Sequence, residues 1–259
     1  MSLSEFTDKF SFNPALAYRV GAEREFFLID KTRQIVPRAV GVIGALHGRG
    51  YSARDHFGFE LSACQIEYRT APTPLSNLEN SLNTLDDELE SVLAQQGLYA
   101  SSREVAPASM PYDIYPDPLG RYQTHVEKMP RAAVQAACRI IGTHVHIGMP
   151  NAETALIAYN RAINYAPRLW RMGDHSHGLR EQLYRVVAPN YRAPAFASWD
   201  DFYEDAERNS YTDDPRNNWR EIRISRFGTI EFRMFGTTEN VKEIGKWAYE
   251  CRKICLADE

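Results

Sequence analysis

Three short segments rich in β-forming residues each carry two ionisable side chains two positions apart: Glu23 and Glu25, His144 and His146, Glu231 and Arg233. A strand alternates its side chains with period two, so both members of each pair point to one face. The runs are Gly21-Ala-Glu-Arg-Glu-Phe-Phe-Leu-Ile-Asp30, Ile141-Gly-Thr-His-Val-His-Ile-Gly148 and Gly228-Thr-Ile-Glu-Phe-Arg-Met-Phe235. Segments this far apart in the chain that turn carboxylates, imidazoles and a guanidinium to one side describe a sheet with a polar working face. Such a face carries the donors of a multi-metal active site.

A chain of 259 residues can bury a full core. Its net charge of −4 argues against a nucleic-acid binder that works by broad electrostatic attraction. No apolar run reaches about 18 residues and the N-terminus has no signal-peptide pattern, so no membrane partner is expected. Cys64, Cys138, Cys251 and Cys255 form no C-x-x-C pair, as expected of idle thiols in a reducing cytoplasm.

Periodicity predicts a polar, partly mobile segment over 1–18, then one domain over 19–259. A strand at 19–30 is followed by a returning strand near Gln34–Pro37, a helix over 39–50 and a strand over 57–70. Ser76 or Asn77 caps a helix reaching Gln96, with Leu78, Leu82, Leu85, Leu89 and Val92 at helical spacing. A strand at 98–105 enters a proline-rich loop from Pro107 to Pro118. Asn151 caps a helix over Ala152–Arg171, despite Pro167. Residues 173–200 read as a loop holding His175 and His177, 221–235 as the last strand and 238–256 as a closing helix. Strands interleaved irregularly with helices favour α+β with an antiparallel sheet.

Each constellation also has a plainer reading. Glu23 and Glu25 repel unless cations or solvent intervene, and a solvated edge strand would also tolerate them. Phe26, Phe27, Leu28 and Ile29 follow at once, which counts against full solvation. Glu60 and Glu67 are seven apart, so a regular strand would oppose them; either Glu60 precedes the strand or a bulge intervenes. His144 and His146 suit a metal or phosphate, or ordinary hydrogen bonds. Arg223, Arg226, Glu231 and Arg233 suit carboxylate or phosphate recognition, or a structural ion-pair network. Ile230, Phe232 and Met234 alternate toward the core. There is no Walker loop and no G-x-G-x-x-G, so a nucleotide must be held through metals and arginines. A G-x-S-x-G elbow and a Cys–His dyad are also missing.

In chain order, Gly21-Ala-Glu-Arg-Glu25, Glu60-Leu-Ser-Ala-Cys-Gln-Ile-Glu-Tyr-Arg-Thr70, Arg121-Tyr-Gln123, Gly142-Thr-His-Val-His-Ile-Gly148 and Arg223-Ile-Ser-Arg-Phe-Gly-Thr-Ile-Glu-Phe-Arg233 resemble the glutamate–cysteine ligase type 2 family, bacterial carboxylate–amine ligases. The resemblance implies a glutamine synthetase-like catalytic domain: a curved, mainly antiparallel sheet forming a funnel, with helices on its outer face. It implies ATP and Mg²⁺, with Mn²⁺ as a substitute, phosphorylation of a substrate carboxylate, and attack by an amine on the acyl phosphate. Carried over by position, Glu23, Glu25, Glu60, Glu67, His144 and Glu231 look like metal ligands. His146, Arg223 and Arg226 resemble nucleotide contacts, and Arg233 with Arg223 the arginines that act on the transferring group. The partners implied are small amino-acid substrates, and a homo-oligomer is compatible.

The chain departs from the family pattern at Gly236, where an aspartate is common, and in stopping soon after the strand of Arg233. Its 173–200 loop matches no family pattern. Glutamate is therefore the acyl donor expected by analogy alone, and the amine is left open. Two rivals are a non-catalytic nucleotide or amino-acid binder of the same fold and a zinc hydrolase built on His144-Val-His146.

Overall fold

The computed structural model describes residues 1–50 and 55–256. Its centre is an antiparallel sheet built around the long strand β1 (Val20–Asp30). β2 (Phe57–Phe59) and β3 (Gln65–Arg69) lie on one side of it. On the other side come β5 (Thr143–Gly148), β7 (Thr229–Phe235) and, at the edge, β6 (Ile222–Ser225). β4 (Leu98–Ser101) also pairs with β1, along Phe27–Asp30, beyond the stretch that β5 occupies.

Alternation along β1 sorts its residues cleanly. Val20, Ala22, Phe26 and Leu28 join the main core, while Glu23 and Glu25 face the other side of the sheet. Helices cover the core side: α3 (Leu78–Gln95), α6 (Ala152–Ile163), α7 (Ala166–Gly173) and α10 (Val241–Leu256). The α3 stripe of Leu78, Leu82, Leu85, Leu89 and Val92 is buried as its spacing predicts. Arg24 is a charge on the core face, held by Asp86 of α3 at 2.6 Å and by the carbonyl of Thr238 at 2.7 Å. Among the described residues no helix is long and apolar enough to cross a membrane.

Several expected elements differ. The first residues are neither wholly polar nor loose: α1 (Leu3–Thr7) buries Phe6, and Phe6 and Phe10 pack on Phe202 of α9 (Trp199–Arg208). Two aromatics in a polar stretch suffice to dock it. The strand expected over 57–70 is a hairpin of β2 and β3, and Glu60 lies in its connection. The strand over 221–235 is also a hairpin, β6 to β7, turning at Gly228. The strand at 98–105 stops at Ser101, and the return near Gln34–Pro37 shrinks to one bridge between Ile29 and Ile35. Pro167 opens α7 rather than sitting in one long helix, since proline suits a first turn. The supposed loop 173–200 contains α8 (Leu179–Val187). The unassigned stretch after Pro118 forms α4 (Arg121–Lys128) and α5 (Arg131–Arg139).

Candidate active site

The polar face of the sheet is the floor of a cavity of about 440 Å³, roofed by α4, α5 and α8. Strand register brings the sequence-predicted residues together in rows. Glu25 stands opposite Glu67, Glu23 opposite His144, His146 opposite Glu231, and Glu231 opposite Arg223. Glu23, Glu25, Glu60, Glu67, His144, His146, Arg223, Arg226, Glu231 and Arg233 all line this one cavity. Arg226 is exposed at its rim. His175 and His177 are not among its lining residues.

His144 sits among three carboxylates. Its Nδ1 is 3.1 Å from Glu23 Oε2 and 3.9 Å from Glu231 Oε1, and its Nε2 is 3.6 Å from Glu25 Oε1. One donor atom each from Glu23, His144 and Glu231 falls within 4.8 Å of the others, a span that one metal ion can bridge. Burial, aided by the Arg233 charge, pushes the His144 imidazole down to about 4. It is therefore neutral near pH 7, the form that ligates metal.

Opposing charges separate the carboxylates. Burial raises Glu231, but Arg223 (Nε at 2.7 Å) and Arg233 outweigh it and hold its carboxyl far below the usual range. Glu23 is half-buried and is pulled well down by His146 and His144. Glu25 is pushed up to about 7 by burial, with the Glu67 charge adding to it against the pull of Arg180 and Arg233. Burial and then the charges of Glu67 and Glu25 drive Glu60 well above its ordinary value. Glu67 is raised by burial and by Glu23, although Arg69 pairs with it.

His146 is fixed from behind. Its Nδ1 lies 2.9 Å from Thr229 Oγ1, which in turn lies 2.8 Å from Ser225 Oγ. Its buried Nε2 has no hydrogen-bond partner among the described residues, and Glu23 Oε1 stands 3.7 Å from it. A buried ring nitrogen left open in a cavity is a place for a ligand oxygen.

A hard divalent cation fits this donor set. Mg²⁺ is held by a few carboxylates together with substrate phosphates, and Mn²⁺ accepts the same oxygens plus imidazole. The like-charged group of Glu25, Glu60 and Glu67 needs protons or a cation to coexist. Zinc through both histidines fits less well. Only His144 belongs to the three-donor cluster, while His146 turns Nδ1 to Thr229.

Sequence reasoning missed several lining residues, among them Arg69, Arg180, Tyr184, Arg216 and Trp219. Arg69 was visible, two positions from Glu67 on the same face; the others lie in segments without strand alternation. At Gly236, a Cβ would sit 1.6 Å from Glu104 Oε1, so the buried carboxylate of Glu104 fills the space a side chain there would need.

Comparison with known proteins identifies the family. The model of the glutamate-cysteine ligase family 2 (GCS2) matches residues 19–170. A Rubrobacter xylanophilus protein named "Putative glutamate–cysteine ligase 2-3" is 27% identical over 264 residues, covering 96% of this chain and 72% of the relative. A Roseiflexus protein named "Putative glutamate–cysteine ligase 2" is 26% identical over 253 residues, covering 90% of this chain and 65% of the relative. The chain thus spans about two thirds of the length of such relatives. A bifunctional glutathione synthetase from Pasteurella multocida has the same fold, with a TM-score of 0.59 at 12% identity over 99% of this chain and 40% of that one.

Proposed function

The chain belongs to glutamate–cysteine ligase family 2, and from that premise we propose that it is an ATP- and Mg²⁺-dependent carboxylate–amine ligase with glutamate as acyl donor. The observation that carries this reading is the Glu23–His144–Glu231 cluster beside Arg223 and Arg233 on one buried polar face. When bound, ATP would supply the phosphoryl group that activates the glutamate carboxylate, leaving as ADP, and Mg²⁺ the charge screening that phosphoryl transfer needs. Glu23, His144 and Glu231 would hold one ion, and Glu25, Glu60 and Glu67 a second. The Nε2 of His146 and the guanidiniums of Arg223 and Arg226 would meet phosphate oxygens. Arg233, paired with Glu231 through Nη1 and with Tyr184 through Nε, would offer its remaining N–H groups to negative charge that grows during transfer. No side-chain nucleophile is required.

The test is ADP release from Mg²⁺-ATP with glutamate and a panel of amines. ADP release that depends on both glutamate and an amine is the expected result. Nucleotide binding without ADP release under any amine would overturn the ligase reading in favour of a non-catalytic binder.

A further inference from the structure

Helix α8 grips the strand that carries Arg233 at two points one turn apart. Arg180 is buried, and its guanidinium donates to three main-chain carbonyls: Nε to Ile141 at 2.7 Å, Nη1 to Met234 at 2.9 Å and Nη2 to Arg233 at 3.2 Å. Two of those carbonyls belong to an irregular stretch of the ladder. Thr143 pairs with Phe235 but Val145 pairs with Phe232, so Arg233 and Met234 together stand opposite His144. A bulge of this kind frees main-chain groups from the ladder and re-aims the side chains beside it. Arg180 takes up the freed carbonyls. Gly142 makes room for it, since a Cβ there would lie 2.2 Å from Arg180 Nη2.

Four residues on, and so on the same helix face, stands Tyr184. Its hydroxyl donates to the carbonyl of Trp219 at 3.0 Å and accepts from Arg233 Nε at 3.4 Å. The Trp219 ring lies 5.9 Å from the Arg233 guanidinium carbon. Main chain and guanidinium of one arginine are thus held by one helix.

We infer that α8 is a positioning element for Arg233: Arg180 sets its main chain and Tyr184 sets its guanidinium. The inference rests on the ligase reading for what Arg233 does, but not for how Arg233 is held. Arg180 and Tyr184 act through Arg233 and not on the reacting groups.

Replacing Arg180 would strand three carbonyls and risks unfolding, so the decisive variant is Tyr184→Phe, which removes one oxygen. In spectra of protein labelled with ¹⁵N-arginine, the Nε–H signal of Arg233 is assigned by its loss in Arg233→Ala. Tyr184→Phe is expected to speed its exchange with water at least about tenfold, the scale of one hydrogen bond from a charged donor. Unchanged exchange would overturn the inference, whether or not the protein releases ADP. In turnover, Tyr184→Phe is expected to lower kcat about tenfold with KM for ATP and glutamate nearly unchanged. That loss should vanish when Arg233 is already alanine, because the two residues would then act as one unit. An equal loss in both backgrounds marks a general structural role and sinks the positioning role, while failure of the wild-type protein to release ADP sinks the ligase reading alone.

Discussion

The glutamates of the cavity fall into two groups that one sheet face treats in opposite ways. Glu23 and Glu231 are surrounded by cationic or hydrogen-bonding partners, and both stay ionised far below neutrality. Glu25 lies two residues along β1 from Glu23, Glu67 stands opposite it on β3, Glu60 lies in the β2–β3 connection, and the three crowd one another. Their carboxyls are raised. Burial is common to both groups, so it cannot explain the difference. Neighbouring charge does: arginines and histidines dominate around the first group, whereas around the second the carboxylates and burial outweigh Arg69, Arg180 and Arg233. The first group is ready for a metal in the absence of one. The second binds protons more readily, and a metal must compete with them.

The largest effect should come from breaking the first group. Glu231→Gln leaves Arg223 and Arg233 buried without their shared partner, and losing one member of such a cluster costs about 3–5 kcal/mol. Thermal unfolding should show a melting temperature lower by about 10 °C, given roughly 2–4 °C per kcal/mol in a domain of this size. A drop of only a degree or two would mean that Glu231 neutralises little, and the contrast between the groups would collapse. Arg233→Ala is the next largest. It should lower turnover by about 10²–10³, the usual loss for one preorganised contact to transition-state charge. Arg233→Lys should rescue little, because a point charge cannot reproduce the fork. A folded Arg233→Ala protein with near-normal ADP release would leave the arginine as a structural partner of Glu231 alone.

Both groups were legible in the sequence for the same physical reason. Period-two alternation forces Glu23 with Glu25, and Glu231 with Arg233, onto one face whatever the helices do. Antiparallel pairing of neighbouring β-rich runs then places them in adjacent rows. Glu60 was ambiguous because its position depends on a hairpin connection, where alternation carries no information. The roof was illegible. α8 reads as a loop between Gly178 and Pro189, yet its function lies in Arg180 and Tyr184 gripping a strand far away in the chain. A cation bound to carbonyls has no partner that a sequence can display. The bulge opposite His144 was equally silent, since β7 alternates normally in sequence and shifts only in pairing.

A third prediction concerns pH. Metal binding requires ionised carboxylates, and Glu25 titrates at about 7 in the metal-free protein. Below that value a proton on Glu25 competes with the metal; above it that proton no longer does. Mg²⁺ affinity should therefore rise with pH, by about tenfold per unit for each proton displaced, with the part due to Glu25 levelling off above about 7 and the more strongly raised Glu60 sustaining the rest. Calorimetric titration in buffers of different ionisation enthalpy should also show proton release on Mg²⁺ binding at neutral pH. Glu25→Gln should diminish that release. Binding that is independent of pH from 6 to 8 would show that the second group does not ligate metal.

The smallest expected effect is also the most discriminating between the two groups. Glu60 is held well above its ordinary range by burial and by the charges of Glu67 and Glu25, so in the metal-free protein it carries its proton. Glutamine is close in shape to that protonated acid and removes the like-charge repulsion for good. Glu60→Gln should accordingly leave metal-free stability unchanged or raise it by less than about 1 kcal/mol. The same exchange at Glu231 is strongly destabilising on the argument above. With Mg²⁺ and ATP the order of the Glu60 variant and wild type should invert. A ligand that binds only the folded state raises its melting temperature, and a site short of one carboxylate gains less. Parallel melts of wild type and Glu60→Gln, with and without Mg²⁺-ATP, supply the check. A variant that loses several kcal/mol without metal would show Glu60 to be ionised and paired, and would place it with Glu231 instead of against it.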